Sequence, residues 1–109
     1  MTNKITEWNT QIKRGTLELC ILKSLNNSPK YGYEIIQVLN QHPLISSKES
    51  TVYPLLRRLE KEGILYSYWE ENTQGIPPRK YYSLTESGRE YLQEITKLWQ
   101  ELQETISKI

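Results

Sequence analysis

The chain has 109 residues, enough for one domain with one modest core. Fourteen Lys and Arg face thirteen acidic residues, a formal net charge of +1. That balance excludes nucleic-acid binding by bulk charge but leaves room for a local basic face. One cysteine, Cys20, and one histidine, His42, exclude an intrachain disulfide and argue against a zinc site or a Cys–His nucleophilic pair, so neither metal nor cofactor is expected. Cys20 lies in the apolar run Leu17–Leu22 and reads as a small buried hydrophobe. The start of the chain lacks a basic stretch followed by an apolar one, and no run of 18 apolar residues occurs, so a cytoplasmic protein without a membrane span is expected. Eight Tyr, three Trp and no Phe favour half-wet interfaces over a dry aromatic core.

From Ile5 to Leu25 the apolar residues repeat at helical spacing. One stripe holds Ile5, Trp8, Ile12, Leu19 and Leu22, with Gly15 at the missing step; a second holds Leu17, Cys20, Ile21 and Leu25. Two stripes on one helix imply two packing partners. Asn26-Asn27-Ser28-Pro29 stops it. A second helix is predicted from Tyr31, with Ile35, Val38 and Leu39 on one face, ending at Asn40–Pro43. Ser46 and Glu49 have capping-box spacing and predict a third helix over Ser47–Glu62, terminated by Gly63. Its core face is Val52, Leu55, Leu56 and Leu59, and its outer face carries Ser50, Pro54, Arg57 and Lys61. Pro54 inside the helix deletes one backbone hydrogen bond and predicts a kink.

Ile64–Glu70 and Arg79–Leu84 are rich in strand formers and flank a polar loop stiffened by Pro77 and Pro78, which predicts a hairpin with an extended tip. Trp69 is expected to be a half-buried sheet residue. Thr85 caps a last helix in which Leu92, Ile95, Trp99, Leu102, Ile106 and Ile109 step by three and four. So narrow a seam asks for another helix, whereas the surface helix of a monomer shows a wider apolar face.

The fold class is therefore mainly α with a small β-hairpin, in the order helix, helix, helix, hairpin, helix. This is the layout of a winged helix-turn-helix, residues 1–85, followed by a dimerisation helix, residues 86–109. The third helix would enter a DNA major groove and the hairpin would form the wing. Lys48, Ser50, Thr51 and Tyr53 would supply contacts near the start of that helix. Arg57 can fork onto guanine or phosphate, and Lys61, Arg79 and Lys80 suit phosphates. A homodimeric module that binds protein instead of DNA is the alternative, and nothing in the chain suggests an enzyme.

Three ordered blocks carry a resemblance that covers nearly the whole chain: residues 29–35, Pro-Lys-Tyr-Gly-Tyr-Glu-Ile; residues 50–64, Ser-Thr-Val-Tyr-Pro through Gly-Ile; and residues 77–88, Pro-Pro-Arg-Lys-Tyr-Tyr through Ser-Gly. With these blocks the sequence resembles the PadR family of bacterial transcriptional regulators. Trp99 in the single C-terminal helix is similar to the short, multidrug-responsive LmrR-like subgroup. The resemblance implies a homodimeric repressor bound to double-stranded operator DNA. Trp8, Leu92, Leu102 and Ile106 would lie in the dimer interface. It also implies a flat aromatic effector held between tryptophans at that interface, placing Trp99, Ile95, Ile12 and Thr16 at the ligand. Some members carry Gly-Arg-Pro at the wing tip; here the tip reads Gly75-Ile76-Pro77-Pro78, without that arginine.

Overall fold

The computed structural model describes residues 2–71 and 74–109. Helix α1 (Thr2–Ser24) leads to a short strand β1 (Lys30–Tyr31), helix α2 (Gly32–Asn40), a single 3₁₀ turn at Pro43–Ile45 and helix α3 (Glu49–Lys61). Strands β2 (Leu65–Glu70) and β3 (Arg79–Leu84) and helix α4 (Glu86–Ser107) complete the chain. Within the hairpin loop, Asn72 and Thr73 lie outside the described residues.

The core is aliphatic. Leu17, Ile21, Leu22 and Leu25 of α1 and the residue after it meet Ile35, Ile36 and Leu39 of α2, Val52, Leu56 and Leu59 of α3, and Leu65, Tyr82 and Leu84 of the sheet. Only the second half of α1 enters this core. Its first turns overhang the body, leaving Ile5 and Trp8 exposed. The α4 seam is graded in the same way: Leu92 is buried, Ile95 and Trp99 are half-buried, and Leu102, Ile106 and Ile109 are exposed. Cys20 is half-buried, not fully buried, because α1 turns it toward the edge of the core; its thiol is pushed up by burial, with Lys23 opposing.

The hairpin expectation needs enlarging. Lys30 and Tyr31, expected at or before the start of a helix, form an edge strand, with Lys30 opposite Tyr82 and Tyr31 opposite Tyr81. The sheet is therefore three-stranded and antiparallel, in the order β1-β3-β2. Helix α2 then starts one residue late, at Gly32, and the Glu34 carboxylate accepts the Tyr31 amide at 3.1 Å. The Ser46–Glu49 capping box does not form. Asn40, at the end of α2, takes both the Ser46 hydroxyl (2.9 Å) and the Ser47 amide (3.1 Å) on its Oδ1, so α3 begins only at Glu49. The helix runs unbroken through Pro54. Trp69 is 66% exposed: it lies near the end of the edge strand β2, beyond the last core position of that strand.

Two glycines at the junction of α3 and α4 are dictated by geometry. Gly63, with φ +77°, ends α3 in a Schellman turn: its own amide bonds the Glu60 carbonyl at 3.1 Å and the Ile64 amide bonds the Leu59 carbonyl at 3.0 Å. Gly88 sits where α4 meets that turn. The Ile64 carbonyl accepts the Thr85 amide at 3.1 Å, the Thr85 hydroxyl donates to the Gly63 carbonyl at 2.6 Å, and the Gly88 amide donates back to Thr85 Oγ1 at 2.9 Å. A Cβ on Gly88 would lie 2.0 Å from the Ile64 carbonyl oxygen, which is held by the same bonds. Gly88→Ala is expected to destabilise the fold by about 2–3 kcal/mol, the cost of overpacking a rigid contact. Urea unfolding would show it as a lower midpoint at unchanged slope.

Candidate nucleic-acid interface and apolar groove

Helix α3 presents its outer face to solvent because its buried face is limited to Val52, Leu56 and Leu59, with Leu55 at the margin. Lys48 at the N-cap, Ser50 and Thr51 in the first turn, and Arg57 and Lys61 one turn apart are all exposed. The ion pairs of the described residues are Arg58–Glu18, Arg58–Glu62 and Lys80–Glu60, so Arg57 and Lys61 are not committed to a carboxylate there.

The other residues expected at DNA lie differently. Tyr53 is half-buried: a Cβ on Gly32 would fall 2.4 Å from its ring, so the bare backbone of α2 and the Tyr53 ring set the crossing of α2 and α3. Burial, with a smaller push from Glu49, raises the Tyr53 phenol above its ordinary value. Arg79 lies 4.5 Å above the Tyr31 ring, and Lys80 reaches Glu60 at 3.5 Å and the Tyr82 ring at 5.5 Å. Both wing cations have internal partners and only partial exposure.

Beside α3, the overhanging ends of α1 and α4 enclose an open groove of about 860 Å³. Ile12, Thr16, Ile95 and Trp99 all line it, together with Trp8, Leu102 and Ile106. Gly15 also lines it, and nothing lies within 4 Å of the place its Cβ would take, so the missing step in the α1 stripe widens the groove. The Thr16 hydroxyl is occupied by the Ile12 carbonyl at 2.8 Å and faces the groove as a largely apolar group. Leu92, expected at the dimer interface, is instead packed into the chain's own core.

A polar network on the groove wall was not anticipated. Glu18 accepts from the Arg58 guanidinium on one oxygen and from the Tyr91 hydroxyl on the other, joining α1, α3 and α4. Its only sequence signal is a carboxylate placed between Leu17 and Leu19 in an apolar run. The hydrogen bond to Glu18, then burial, then the Glu18 charge, push the Tyr91 phenol up to about 12. Because the native phenol ionises later than the unfolded one, this contribution to stability is present below about pH 10 and is lost as pH rises toward 12. Among the described residues no helix is long and apolar enough to cross a membrane, and no group of three His, Cys or acidic side chains could hold a metal ion.

A helix pair crossing on a bare glycine, an exposed third helix and a hairpin wing together define a winged helix-turn-helix regulator. Comparison with known proteins narrows this. Residues 21–94 match the model of the transcriptional regulator PadR-like family. A PadR-family transcriptional regulator from Eggerthella lenta superposes with a TM-score of 0.88 at 36% identity, covering 98% of this chain and 92% of that one. A PadR-like transcription factor from Bacteroides fragilis gives 0.77 at 44% identity, covering 94% and 97%. The transcriptional regulator Rv3488 of Mycobacterium tuberculosis is 32% identical over 92 residues, covering 84% of this chain and 83% of the relative. The chain belongs to the PadR-like family and is a DNA-binding transcriptional regulator.

Replacing Glu18 with Ala removes the carboxylate that holds the Tyr91 proton. A spectrophotometric titration of the wild type is expected to show one tyrosine ionising near pH 12, and Glu18→Ala should return it toward the ordinary phenol range. An unchanged late phase would place the perturbed tyrosine elsewhere.

Proposed function

We propose that the chain acts as a homodimeric repressor whose apolar groove receives a planar aromatic effector. The observation that carries the dimer is the line of uncovered side chains along the groove and its ends: Ile5 and Trp8 on α1, Leu98, Leu102 and Ile106 on α4, and Ile109 just beyond it are between 47% and 101% exposed. A soluble chain rarely leaves so continuous an apolar strip unpaired. A two-fold axis along the strip would cover it with the same strip of a second copy. The two α3 helices would then face successive major grooves, roughly 34–36 Å apart, on a near-palindromic operator.

On this reading Arg57 forks onto guanine or a phosphate while Lys48, Ser50, Thr51 and Lys61 set the register of α3 on the duplex. Tyr53 supports that surface from beneath, with its ring and hydroxyl packed on Gly32. Arg79 and Lys80 serve phosphates only by exchanging Tyr31 and Glu60 for them, which makes the wing the weaker arm. Dimerisation would also bring two copies of Trp99 to one cavity, each beside Ile95, Ile12 and Thr16. A flat ligand stacked between indoles buries apolar area at about 25 cal/mol per Å². Such a ligand releases DNA to the extent that it prefers the inter-subunit geometry that misplaces α3.

Arg57→Ala should weaken binding to duplex DNA from upstream of the gene by about 1–3 kcal/mol, or roughly fivefold to 150-fold, with an unchanged melting temperature. The wild-type complex should carry two chains per duplex. Binding that ignores salt, or that needs far more than micromolar protein, would remove the operator reading. Trp99→Ala should abolish quenching of tryptophan fluorescence by planar aromatic dyes. Full quenching in that variant would put the dye elsewhere.

A further inference from the structure

A second cavity of about 450 Å³ lies between α1 and the start of α3. Lys13 and Arg14 of α1 and Lys48 of the turn bring three cations to it, and none of the residues lining it is acidic. The Lys13 ammonium donates to the Ser46 carbonyl at 2.9 Å, which fixes it at the wall and leaves two of its protons for another acceptor. Among the described residues, neither Arg14 nor Lys48 takes part in an ion pair. Arg57 and Lys61 on the outer face of α3 are likewise outside the ion pairs of the described residues, whereas four other cations are engaged. Arg58 is held by Glu18 and Glu62, Lys80 by Glu60, Arg79 by the Tyr31 ring and Lys30 by the Ser24 carbonyl.

We propose that Lys13, Arg14 and Lys48 clamp a backbone phosphate of the bound duplex, extending the DNA interface from α3 onto α1. The inference rests on the operator reading above. Three like charges around one cavity repel one another until an anion joins them. The anion assigned is a phosphodiester because the cavity is continuous with the exposed start of α3: Lys48 and Thr51 belong to both surfaces. A duplex lying along α3 presents phosphates beside that helix start, and cations there set position without reading sequence. The same wall has a second side. Arg14, Leu17 and Thr51 line the apolar groove as well as the phosphate clamp, so the two sites share three residues.

The test uses the full chain and two duplexes, one from upstream of the gene and one of the same composition with scrambled sequence. Lys13→Gln with Arg14→Gln is expected to lower affinity about tenfold or more for both duplexes. The slope of log affinity against log salt should fall by about 0.9 for each phosphate left without its cation. Lys48→Gln should act in the same direction and keeps the test usable if the double variant folds poorly. Lys97→Gln, which removes the same single charge from α4 that Lys48→Gln removes from the clamp, should change neither quantity. An unchanged slope alongside a normal Arg57→Ala loss overturns the clamp and leaves the operator reading intact. A loss matched by Lys97→Gln overturns it in favour of overall charge. Inorganic phosphate bound by the wild type and released by the double variant, with DNA affinity unaltered, overturns it in favour of a small-anion site. If wild-type protein binds neither duplex, the operator reading falls and the clamp falls with it.

Discussion

The arrangement of the whole chain depends on how α4 leaves the wing. Thr85 and Ser87 are laced to the Gly63–Ile64 turn by backbone and hydroxyl hydrogen bonds, and the Gly88 amide is tied to Thr85. That turn is itself fixed by the positive φ of Gly63 and the Schellman bonds that close α3. The end of the exposed helix and the start of the last helix are therefore one rigid joint. Its two glycines serve opposite needs: Gly63 supplies a left-handed backbone, and Gly88 supplies the absence of a side chain where a carbonyl passes. Because the joint sets the direction of α4, it also sets where Trp99 stands relative to α1, and hence the width of the groove.

Helix α1 divides its work along its length. Its second half is a core element, and its first half is a wall with little of its own chain to lean on. The Glu18–Arg58–Tyr91 network sits at the change between the two. A carboxylate at this depth is tolerable because both of its oxygens accept charged or polar donors. The network joins α1, the exposed helix and α4 at a single residue, so a displacement of any of the three is felt at Glu18.

Much of this was legible in the residues. The order of elements, the aliphatic faces of α1 to α4 and the Gly63 stop follow from spacing and turn chemistry, which are local properties. Ile12, Thr16, Ile95 and Trp99, from two helices far apart in the chain, line one cavity. What spacing could not supply were the choices made between distant partners. Lys30 and Tyr31 are a strand only because β3 offers an unpaired edge. Ser46 abandons its capping partner because Asn40, six residues away, competes better for it. Trp69 looked half-buried by strand position, yet it lies on a sheet edge beyond the reach of the core. The pairing of Glu18 with Arg58 and Tyr91, at separations of 40 and 73 residues, had no local signal beyond a misplaced charge.

Pro54 leaves α3 helical but takes one amide out of its ladder. The Ser50 carbonyl consequently has no donor four residues on, and its residue faces solvent. In hydrogen-exchange terms the helix lacks one rung of its ladder and has one position with no amide proton to exchange. The turns beyond it are anchored in the core by Leu56 and Leu59, and the first turn by Val52 and by the Tyr53 ring on Gly32. Unwinding the exposed helix from the end that presents Ser50 and Thr51 therefore breaks one backbone hydrogen bond fewer than in an uninterrupted helix.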